Sequence, residues 1–518
     1  MPDIFGYAGT LPSTLSHDFS RVPKAEIQRS TFNRDHGLKT TFNAGELIPI
    51  FADEVLPADT FNLKMHGFGR LATPINPIMD NIHMDTFFFF VPYRLIWNNF
   101  EKFMGAQDDP SDSIDYLVPQ ITSYTPTSGS LFDYLGLPLG NSISFNNLYA
   151  RAYNLIWNEW FRDENLQDSV TVDKGDGPDT ATNYTLLKRG KRHDYFTSCL
   201  PWPQKGDAVS LPLGTTAPVK TDVTSTTAEI GINNGNDVLT NLDSDPLSLG
   251  TGTLSADRAI YTDLSGATSA TINQLRESFQ IQRLLERNAR GGTRYTEIIQ
   301  SHFNTTSPDA RLQRPEYLGG GRSNVDINPI GQTSSTDSTT PQGNLSAFGT
   351  VSFNGHGFSK AFTEHGLILG MVCAYADLNY FQGIHRSYSR RDRWDFYWPA
   401  LAHLGEQAVL NKEIYSQGTS ADDNAFGYQE AWAEYRYKNS GITGKFRSNI
   451  TDSLDPWHLA IDFGSLPVLN ASFIEENPPI DRVVAVPTQP DFLFDSFFDL
   501  KCSRPMPTYS VPGLIDHF

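Results

Sequence analysis

The chain has 518 residues, of which 39% are hydrophobic and 12% aromatic, so it can form one large core with insertions or several domains. Its net charge of −19 argues against a surface that wraps nucleic acid unaided. Ser, Thr, Gly, Pro and Asn are abundant and long Ala, Leu, Glu or Lys blocks are missing, which favours a β-rich fold with many loops.

Cysteine usage and the N-terminal sequence argue against an exported protein. Cys199, Cys373 and Cys502 lie far apart, which fits neither a disulfide framework nor a zinc site and favours synthesis in a reducing compartment. Residues 1–32 lack a basic segment followed by an apolar run, so no secretory signal is expected. The longest apolar run, residues 87–91, is far shorter than a bilayer span.

The N-terminal part of the chain divides into a polar arm and a set of strands. Residues 1–44 are polar with scattered bases, so we expect an extended N-terminal arm that packs on another surface. Within residues 45–98, Phe61, Leu63 and Met65 alternate with polar neighbours, as in a half-buried strand. The apolar run that follows predicts a strand covered on both faces.

Two helices are predicted in the middle of the chain. Residues 99–205 form an insertion that contains the first helix, residues 146–163, where apolar side chains recur at helical spacing. The second helix covers residues 272–290. Thr271 with Gln274 three residues later forms a capping box, and two glycines follow the last turn.

A compositional break separates these helices. Between Trp202 and Tyr261, 58 residues contain no Phe, Trp or Tyr and are rich in Thr, Ser, Gly, Asn and Asp. Such a stretch buries little apolar area against its ordering entropy, although Val, Ile and Leu recur in it. We predict that residues 206–270 form a projecting, turn-rich β insertion, and projections often carry function.

The remaining chain is predicted to return to the same core. Residues 271–344 comprise the second helix and loops, because the glycine triplet that begins at Gly319 and a Ser/Thr-rich run offer little to bury. Residues 345–499 show strand patterns again, with further insertions, and residues 500–518 are expected to form a separate C-terminal interface segment. The two ends of the chain are therefore expected to build one β core.

The sequence offers no convincing catalytic or metal-binding pattern. His403 and Glu406 lack the second histidine that a zinc helix needs. The glycine triplet at Gly319 lacks the Lys and Ser/Thr of a phosphate loop and is predicted to be a flexible loop. We therefore predict a protein that is not an enzyme, with no catalytic residues, no metal site and no cofactor.

Two basic runs are bordered by aromatic residues. Bases interleaved with stacking surfaces fit contacts to single-stranded nucleic acid. The alternative is that the arginines bridge acidic neighbours across a subunit interface, and the acidity of the chain favours this alternative. The candidate DNA or interface contacts are Lys188, Arg189, Lys191, Arg192, Arg390, Arg391 and Arg393.

Several long blocks resemble one protein family. Residues 29–42 (RSTFNRDHGLKTTF), residues 190–206 (GKRHDYFTSCLPWPQKG) and residues 513–518 (GLIDHF) are similar to the major capsid protein of gokushoviruses, small single-stranded DNA phages of the Microviridae. Further matching blocks extend over nearly the whole chain, at residues 47–50, 53–57, 71–74, 87–92, 399–413, 427–437 and 504–507.

The resemblance implies a mainly β fold, a single jelly roll with an eight-stranded β-barrel, long loop insertions and a few helices. Residues 45–98 and 345–499 would then supply its two groups of strands. In this family a long, variable insertion forms protrusions at the threefold axes of a T=1 icosahedral shell, and its place matches residues 206–270. The candidate host-attachment residues in this loop are Thr224, Thr227, Asn233, Asn234, Asn236, Asp237, Asn241 and Asp243.

The resemblance also implies partners and a location. The partners are other copies of the chain at threefold and fivefold contacts, a circular single-stranded DNA genome, a small basic DNA-binding virion protein, a DNA pilot protein and a host receptor. The location is the virion, assembled in the bacterial cytoplasm. Two alternatives stay open. One is a carbohydrate-binding β-sandwich protein, but processing of a carbohydrate would need a pair of carboxylates that the sequence does not clearly offer. The other is a non-enzymatic spike protein, which the long aromatic core does not fit.

Overall fold

The computed structural model describes residues 28–207, 209, 219–220, 261–262, 272–292, 295–304, 313–338 and 340–509. Its strands in chain order are β1 (Ser30–Asn33), β2 (His36–Phe42), β3 (Ile48–Val55), β4 (Thr60–Leu71), β5 (Ile82–Pro92), β6 (Gln120–Tyr124), β7 (Ile143–Asn146), β8 (Val219–Lys220), β9 (Tyr261–Thr262), β10 (Glu316–Asn324), β11 (Asp326–Gly331), β12 (Leu345–Ala361), β13 (Gly366–Ala376), β14 (Asn379–Tyr380), β15 (Glu406–Leu410), β16 (Ala425–Glu430), β17 (Ser440–Gly441) and β18 (Phe492–Arg504).

The helices are mostly short and lie outside the sheets. The α-helices are α1 (Tyr93–Ile96), α2 (Phe100–Phe103), α3 (Leu131–Tyr134), α4 (Leu148–Ile156), α5 (Ile272–Arg290), α6 (Tyr295–Phe303), α7 (Asn411–Ile414), α8 (Ala433–Arg436) and α9 (Ala471–Ile474). A π-helical turn covers Trp157–Phe161, and 3₁₀ turns cover Ala181–Asn183, Arg386–Ser389, Arg393–Asp395, Pro399–Leu401, Ser420–Asp423, Gly444–Phe446, Asp455–Trp457 and Ile480–Arg482.

Two antiparallel sheets form the centre of the fold. The first has the order β1-β18-β4-β12-β11, with β2 also paired to β18, and the second has the order β10-β5-β13-β3. β1 and β2 pair with successive parts of β18, so they act as one interrupted strand. β10 and β11 are separated by Val325 alone and form one bent strand that continues from the second sheet into the first.

Counted in this way, the core has eight strands. In chain order, the first sheet takes strands 1, 8, 3 and 6, and the second takes strands 2, 7, 4 and 5. This is the strand order of a jelly roll. The predicted mainly β, jelly-roll fold is therefore confirmed.

The core between the two sheets is rich in phenylalanine. The alternation in β4 points Phe61, Leu63 and Met65 inward, as predicted, and all three are fully buried. Aromatic contacts cross between the sheets, such as Phe51 of β3 with Phe498 of β18, whose ring centroids are 5.3 Å apart. Each side chain of this size contributes about 1.5–3 kcal/mol when it is fully buried.

The second sheet is buried on both faces. The outward side chains of β5 and β13 pack on a second apolar cluster that contains Tyr153 and Ile156 of α4. This contact explains the uninterrupted apolar sequence of residues 87–91. Helix α4 and the π turn together span residues 148–161, so the predicted helix 146–163 is two residues too long at each end. Helix α5 has the predicted bounds, residues 272–290.

A buried ion pair ties α4 to the chain that follows it. The Arg151 and Asp179 side chains are fully buried, and Arg151 Nε donates to Asp179 Oδ2 at 2.7 Å. Arg151 Nη1 also donates to the carbonyl oxygens of Ile96 and Gly175, each at 2.9 Å. Burial alone raises the pKa of Asp179, but hydrogen bonds from Arg151 and Asn147 outweigh it and the pKa is lowered.

The predicted bounds of both chain ends need correction. The arm predicted for residues 1–44 is wrong over β1 and β2, which are strands of the first sheet. Likewise, the segment predicted for residues 500–518 begins inside β18, which ends at Arg504. These strands form because β18 supplies backbone partners to β1 and β2, and short-range sequence patterns do not contain such distant pairings.

The glycine triplet is a strand rather than the predicted loop. Gly319, Gly320 and Gly321 lie in β10 and pair with β5. A Cβ on Gly320 would lie 2.0 Å from the backbone oxygen of Thr86, and one on Gly319 would lie 2.5 Å from that of Gly357. The glycines are therefore required by the close approach of neighbouring strands.

The chain divides into two compact units. One comprises Met1–Pro201 and Pro308–Phe518, and the other comprises Trp202–Ser307. In its described part, the second unit contains α5 and α6 packed against each other and the two short strands β8 and β9. Most of the projecting insertion predicted for residues 206–270 lies outside the described residues. Over the described ranges, no helix has the length and apolar character to cross a bilayer.

Candidate functional site

The basic run at residues 188–193 lies between the N-terminal end of β3 and the segment that follows α9. The Arg189 N–H donates to the Gly45 carbonyl at 2.9 Å, and the Lys191 N–H donates to the Ile474 carbonyl at 2.6 Å. Because the run is hydrogen-bonded along both edges, its backbone is held in place and its side chains have defined directions.

Arg189 is engaged by the core rather than by solvent. Its Nη1 lies 3.0 Å from Asp85 Oδ2, and Arg322 Nε lies 2.8 Å from the other oxygen of the same carboxylate. The Arg189 guanidinium also stacks 4.6 Å from the centre of the Tyr375 ring. Burial raises the pKa of Asp85, but hydrogen bonds from the two arginines lower it further than burial raises it. Two guanidinium groups on one carboxylate leave a net positive charge.

Lys188 and Lys191 are hydrogen-bonded within the protein, whereas Arg192 is exposed. Lys188 Nζ donates to Asn477 Oδ1 at 2.7 Å. Lys191 Nζ donates to the Phe473 carbonyl at 2.6 Å, and burial lowers the pKa of Lys191. Arg192 is exposed. Arg192 is therefore the base of the run that is best placed to meet a ligand.

Arg189, Lys191 and Arg192 border a pocket of about 680 Å³, which we name the basic pocket. Trp160 also lines it and is 39% exposed, with the Arg314 guanidinium 5.0 Å from its ring centre. Five bases and three acids give the wall a net positive charge although the whole chain carries −19. These charged residues are Arg162, Arg189, Lys191, Arg192, Lys438, Asp163, Asp194 and Asp377.

The second basic run is anchored by Arg390. Its Nη2 donates to Glu434 Oε1 at 3.0 Å, and both side chains are almost fully buried. The guanidinium lies 4.5 Å from the centre of the Tyr435 ring and 5.3 Å from that of Phe396. Arg390 thus holds the run against helix α8 and organises the aromatic rings around it.

The rest of this run is an exposed aromatic surface. Residues 391–400 are all exposed, and Tyr388 is 84% exposed. The Arg393 guanidinium lies 4.2 Å from the Trp394 ring centre, and Trp398 Nε1 donates to the Arg393 carbonyl at 2.8 Å. We name this surface the aromatic platform and define it as Tyr388, Arg391, Arg393, Trp394, Phe396, Tyr397, Trp398 and Tyr435.

The fold brings the two basic runs to adjacent surfaces. Residues 438–440 line the basic pocket and also a second cavity of about 620 Å³, whose wall includes Tyr388 and Tyr435. Sequence patterns identified both runs but missed Arg322 and Glu434. Arg322 follows the glycine triplet that was predicted to be a loop, and Glu434 is paired only through the tertiary fold.

The predicted attachment loop cannot be placed in the same way. All eight of its candidate residues lie outside the described residues: Thr224, Thr227, Asn233, Asn234, Asn236, Asp237, Asn241 and Asp243. Their role stays a prediction from the sequence.

The jelly-roll core and the acidic, aromatic-rich surface suit a structural protein, and comparison with known proteins decides the family. The family described as "Capsid protein (F protein)" matches residues 20–514. The chain belongs to this capsid protein family.

Three relatives match over almost the whole chain, and each is a "Capsid protein VP1". The chain is 49% identical to that of Bdellovibrio phage phiMH2K over 532 residues, which cover 97% of this chain and 98% of the relative. It is 43% identical to that of Chlamydia phage 1, with the same coverage, and 37% identical to that of Spiroplasma virus 4, with coverage of 96% and 97%. The predicted gokushovirus resemblance is confirmed.

Membership of this family sets the general function. The protein is a major capsid protein, a component of the virion that assembles with other copies into a shell. The prediction that it is not an enzyme is confirmed, because capsid proteins of this kind are structural. Within the described part of the chain, no group of His, Cys, Asp and Glu side chains is arranged to hold a metal ion.

Proposed function

We propose that this capsid protein forms a T=1 icosahedral shell around a circular single-stranded DNA genome, assembled in the cytoplasm of a bacterial host. The jelly-roll core supports the proposal, since it gives a compact wedge with few exposed strand edges that packs tightly against its neighbours. Negative-stain microscopy and native mass measurement of the expressed chain test it. Closed shells of one diameter and one mass are expected, and a stable monomer would contradict the proposal.

Partners other than the chain itself belong to the same proposal. The charge of −19 makes the shell a poor neutraliser of packaged DNA, which supports a small, separate basic DNA-binding protein in the virion. The family resemblance supports a DNA pilot protein. Mass spectrometry of purified virions should find both, and virions that contain only the capsid protein would contradict this part.

The basic pocket is our proposed contact with single-stranded DNA. Its wall is positive in an acidic chain, its exposed bases Arg192 and Lys438 can meet phosphates, and the Trp160 ring can stack on a base. Arg189, the buried Asp85 and the half-exposed Arg322 have a supporting part, since their contacts hold the wall in shape and two guanidinium groups on one carboxylate add positive charge.

Charge reversal tests this contact. The double change Arg192→Glu and Lys438→Glu should weaken binding of a single-stranded oligonucleotide and reduce the slope of log affinity against log salt by about 1.4 for two lost phosphate contacts. The control, Lys174→Glu with Lys445→Glu, changes the net charge equally at exposed positions elsewhere. An unchanged slope in the pocket variant, or an equal change in the control, would contradict a specific DNA contact.

Host attachment is our proposal for residues 206–270. Its composition, poor in core-forming residues, supports a solvent-facing loop, and three copies around a threefold axis can bind with multivalent gain even if each contact is weak. Deletion of residues 210–258 should leave shell assembly largely intact and abolish adsorption to cells. A deletion variant that fails to assemble would show that the segment belongs to the core of the shell.

A further inference from the structure

We infer that the aromatic platform is a subunit contact, and that it docks on an acidic loop, residues 104–118, of a second copy of this chain. The inference rests on the proposed shell, since only an assembling chain presents both surfaces to other copies. Two features carry it: the chemistry of the platform and the matching charge and exposed apolar side chains of the loop.

The platform has the composition of the centre of a protein interface. It combines Trp, Tyr and Phe side chains with Arg and contains no Lys, and such residues dominate binding energy at interfaces. Tyr397 and Tyr435 have ring centroids 6.2 Å apart, and Tyr397 also meets the ring of Trp432 edge-on at 5.7 Å. Tyr397 and Tyr435 are thus supported by the buried ring of Trp432, and the exposed aromatic residues are concentrated in one segment of the chain rather than scattered.

The positive charge of the platform faces outward. Asp395 is used locally, because its carboxylate accepts the backbone N–H groups of Arg391 at 2.7 Å and Asp392 at 3.0 Å. The Arg390 guanidinium is paired with the buried Glu434 carboxylate. Arg391 and Arg393 are exposed, so the platform presents two guanidinium groups among aromatic rings.

The acidic loop has the complementary chemistry. Residues 104–118 contain four Asp and no Lys or Arg. Asp112 shapes the loop by accepting the N–H groups of Asp108 at 3.1 Å and Asp109 at 3.3 Å, while Lys102 lies 3.2 Å from the same carboxylate. Asp109 and Asp115 are exposed.

Apolar side chains stand beside these carboxylates. Ile114 is 51% exposed and Leu117 is 83% exposed. In the contact, Arg391 and Arg393 would meet Asp109 and Asp115, while the aromatic rings would cover the two aliphatic side chains. The two surfaces are therefore opposite in charge, and each has exposed apolar side chains that the other can cover.

A second copy fits the platform better than DNA does. Residues 388–398 carry three Arg and two Asp, a net charge of only +1, which is little for a phosphate backbone, whereas the loop also offers exposed Ile114 and Leu117 for the aromatic rings to cover. A contact between two different surfaces of identical chains is heterologous, and in a closed shell such contacts form rings around a symmetry axis. Each copy in a ring then uses its platform on one side and its loop on the other.

Charge reversal with rescue tests the contact. Arg391→Glu with Arg393→Glu places like charges against the loop, and Asp109→Arg with Asp115→Arg does so from the other side. Either double variant should raise the critical concentration for shell assembly at least tenfold, roughly the effect expected of like charges in contact. The quadruple variant restores opposite charges and should assemble close to the level of the unmodified chain.

The controls separate this contact from the shell proposal. Lys174→Glu with Lys445→Glu matches the charge change of the platform variant at exposed sites elsewhere and should assemble normally. If the unmodified chain forms no shells, the shell proposal fails. If it forms shells that both reversals leave unchanged, or if the quadruple variant is not rescued, the contact is wrong. A platform variant that loses oligonucleotide binding while its assembly is normal would assign the platform to DNA.

A cysteine pair gives a second measurement that does not depend on loss of assembly. The three native cysteines are buried, so Arg393→Cys with Asp109→Cys in one chain introduces the exposed thiols. Because a long Arg side chain paired with Asp holds the two Cα atoms farther apart than a disulfide spans, a short bismaleimide is used as the cross-linker. Treatment of assembled shells with it should produce a ladder of cross-linked multimers on denaturing gels, which either single change alone does not produce. Shells that form normally but give no ladder would overturn the contact.

Discussion

Glu476 is a buried carboxyl group whose titration should be visible in the stability of the subunit. Its side chain is 2% exposed, and one of its carboxylate oxygens is buried without a hydrogen-bond partner among the described residues. Burial raises the pKa of Glu476 to about 7, and the nearby charges of Lys191 and Arg189 only partly offset the rise. The folded protein therefore binds a proton at Glu476 more tightly than the unfolded chain does.

The sign and size of the effect follow from this shift. Because the pKa is raised on folding, the stability due to Glu476 is fully present below pH 4.5 and is lost as the pH rises through about 7. A rise from 4.5 to about 7 corresponds to about 3 kcal/mol. Glu476→Gln keeps the shape and stays neutral, so it should gain about 3 kcal/mol relative to the unmodified chain between pH 4.5 and pH 8.

Urea unfolding of the unassembled subunit, followed by tryptophan fluorescence at several pH values, measures this difference. Glu475→Gln is the matched control, because Glu475 is its immediate neighbour but is only partly buried. The control should show the pH dependence of the unmodified chain. If Glu476→Gln shows that same pH dependence, the carboxyl group is not buried as an acid and the reasoning is refuted.

Two further predictions concern the core. Gly320→Ala should lower the free energy of unfolding by about 3 kcal/mol, because its Cβ would lie 2.0 Å from the Thr86 backbone oxygen. Gly331→Ala is the control: its Cβ would lie 3.9 Å from the nearest atom, so the loss should be less than about 0.5 kcal/mol. Arg151→Met should cost about 3–5 kcal/mol by leaving Asp179 buried without its partner, and adding Asp179→Asn should recover part of that loss. Urea midpoints measure both, and an equal effect of the two glycine changes or no recovery in the double variant would contradict them.

Features of the fold that depend on local patterns were predictable from the sequence. The alternation around Leu63 specifies one buried face of a strand, and the spacing of apolar residues with a capping box specifies helix α5. The apolar run in β5 correctly indicated a strand covered on both faces. In each case the signal lies within a few residues of the element that it describes.

Features that depend on distant partners were not predictable in this way. β2 is polar on one side and forms a strand because its backbone pairs with β18. In addition, Ser496 Oγ of β18 donates to the carbonyl of Leu38, 458 residues away in the sequence. The glycine triplet was misread because the need for glycine comes from Thr86 of β5, across the sheet. Short-range periodicity carries no information about such approaches.

The candidate sites also have features that local sequence patterns predict and features that depend on distant partners. The positions of the basic runs could be predicted from charge and aromatic spacing. The sequence could not show which bases are already paired, because Arg189 contacts Asp85 and Arg390 contacts Glu434 only in the folded chain. The exposure of bases such as Arg192 and Arg393 is therefore known only from the structure.

The place of β18 in the first sheet has a consequence for synthesis of the protein. β18 lies between β2 and β4, and the Leu500 N–H donates to Asp35, 465 residues earlier in the chain. On the ribosome, β2 and β4 emerge long before the strand that joins them, so this sheet closes only after nearly all of the chain has been made. A prematurely terminated chain lacks the joining strand and cannot complete its wall. Closure of this sheet therefore depends on β18, because a chain that ends before it leaves these edges of β2 and β4 unpaired.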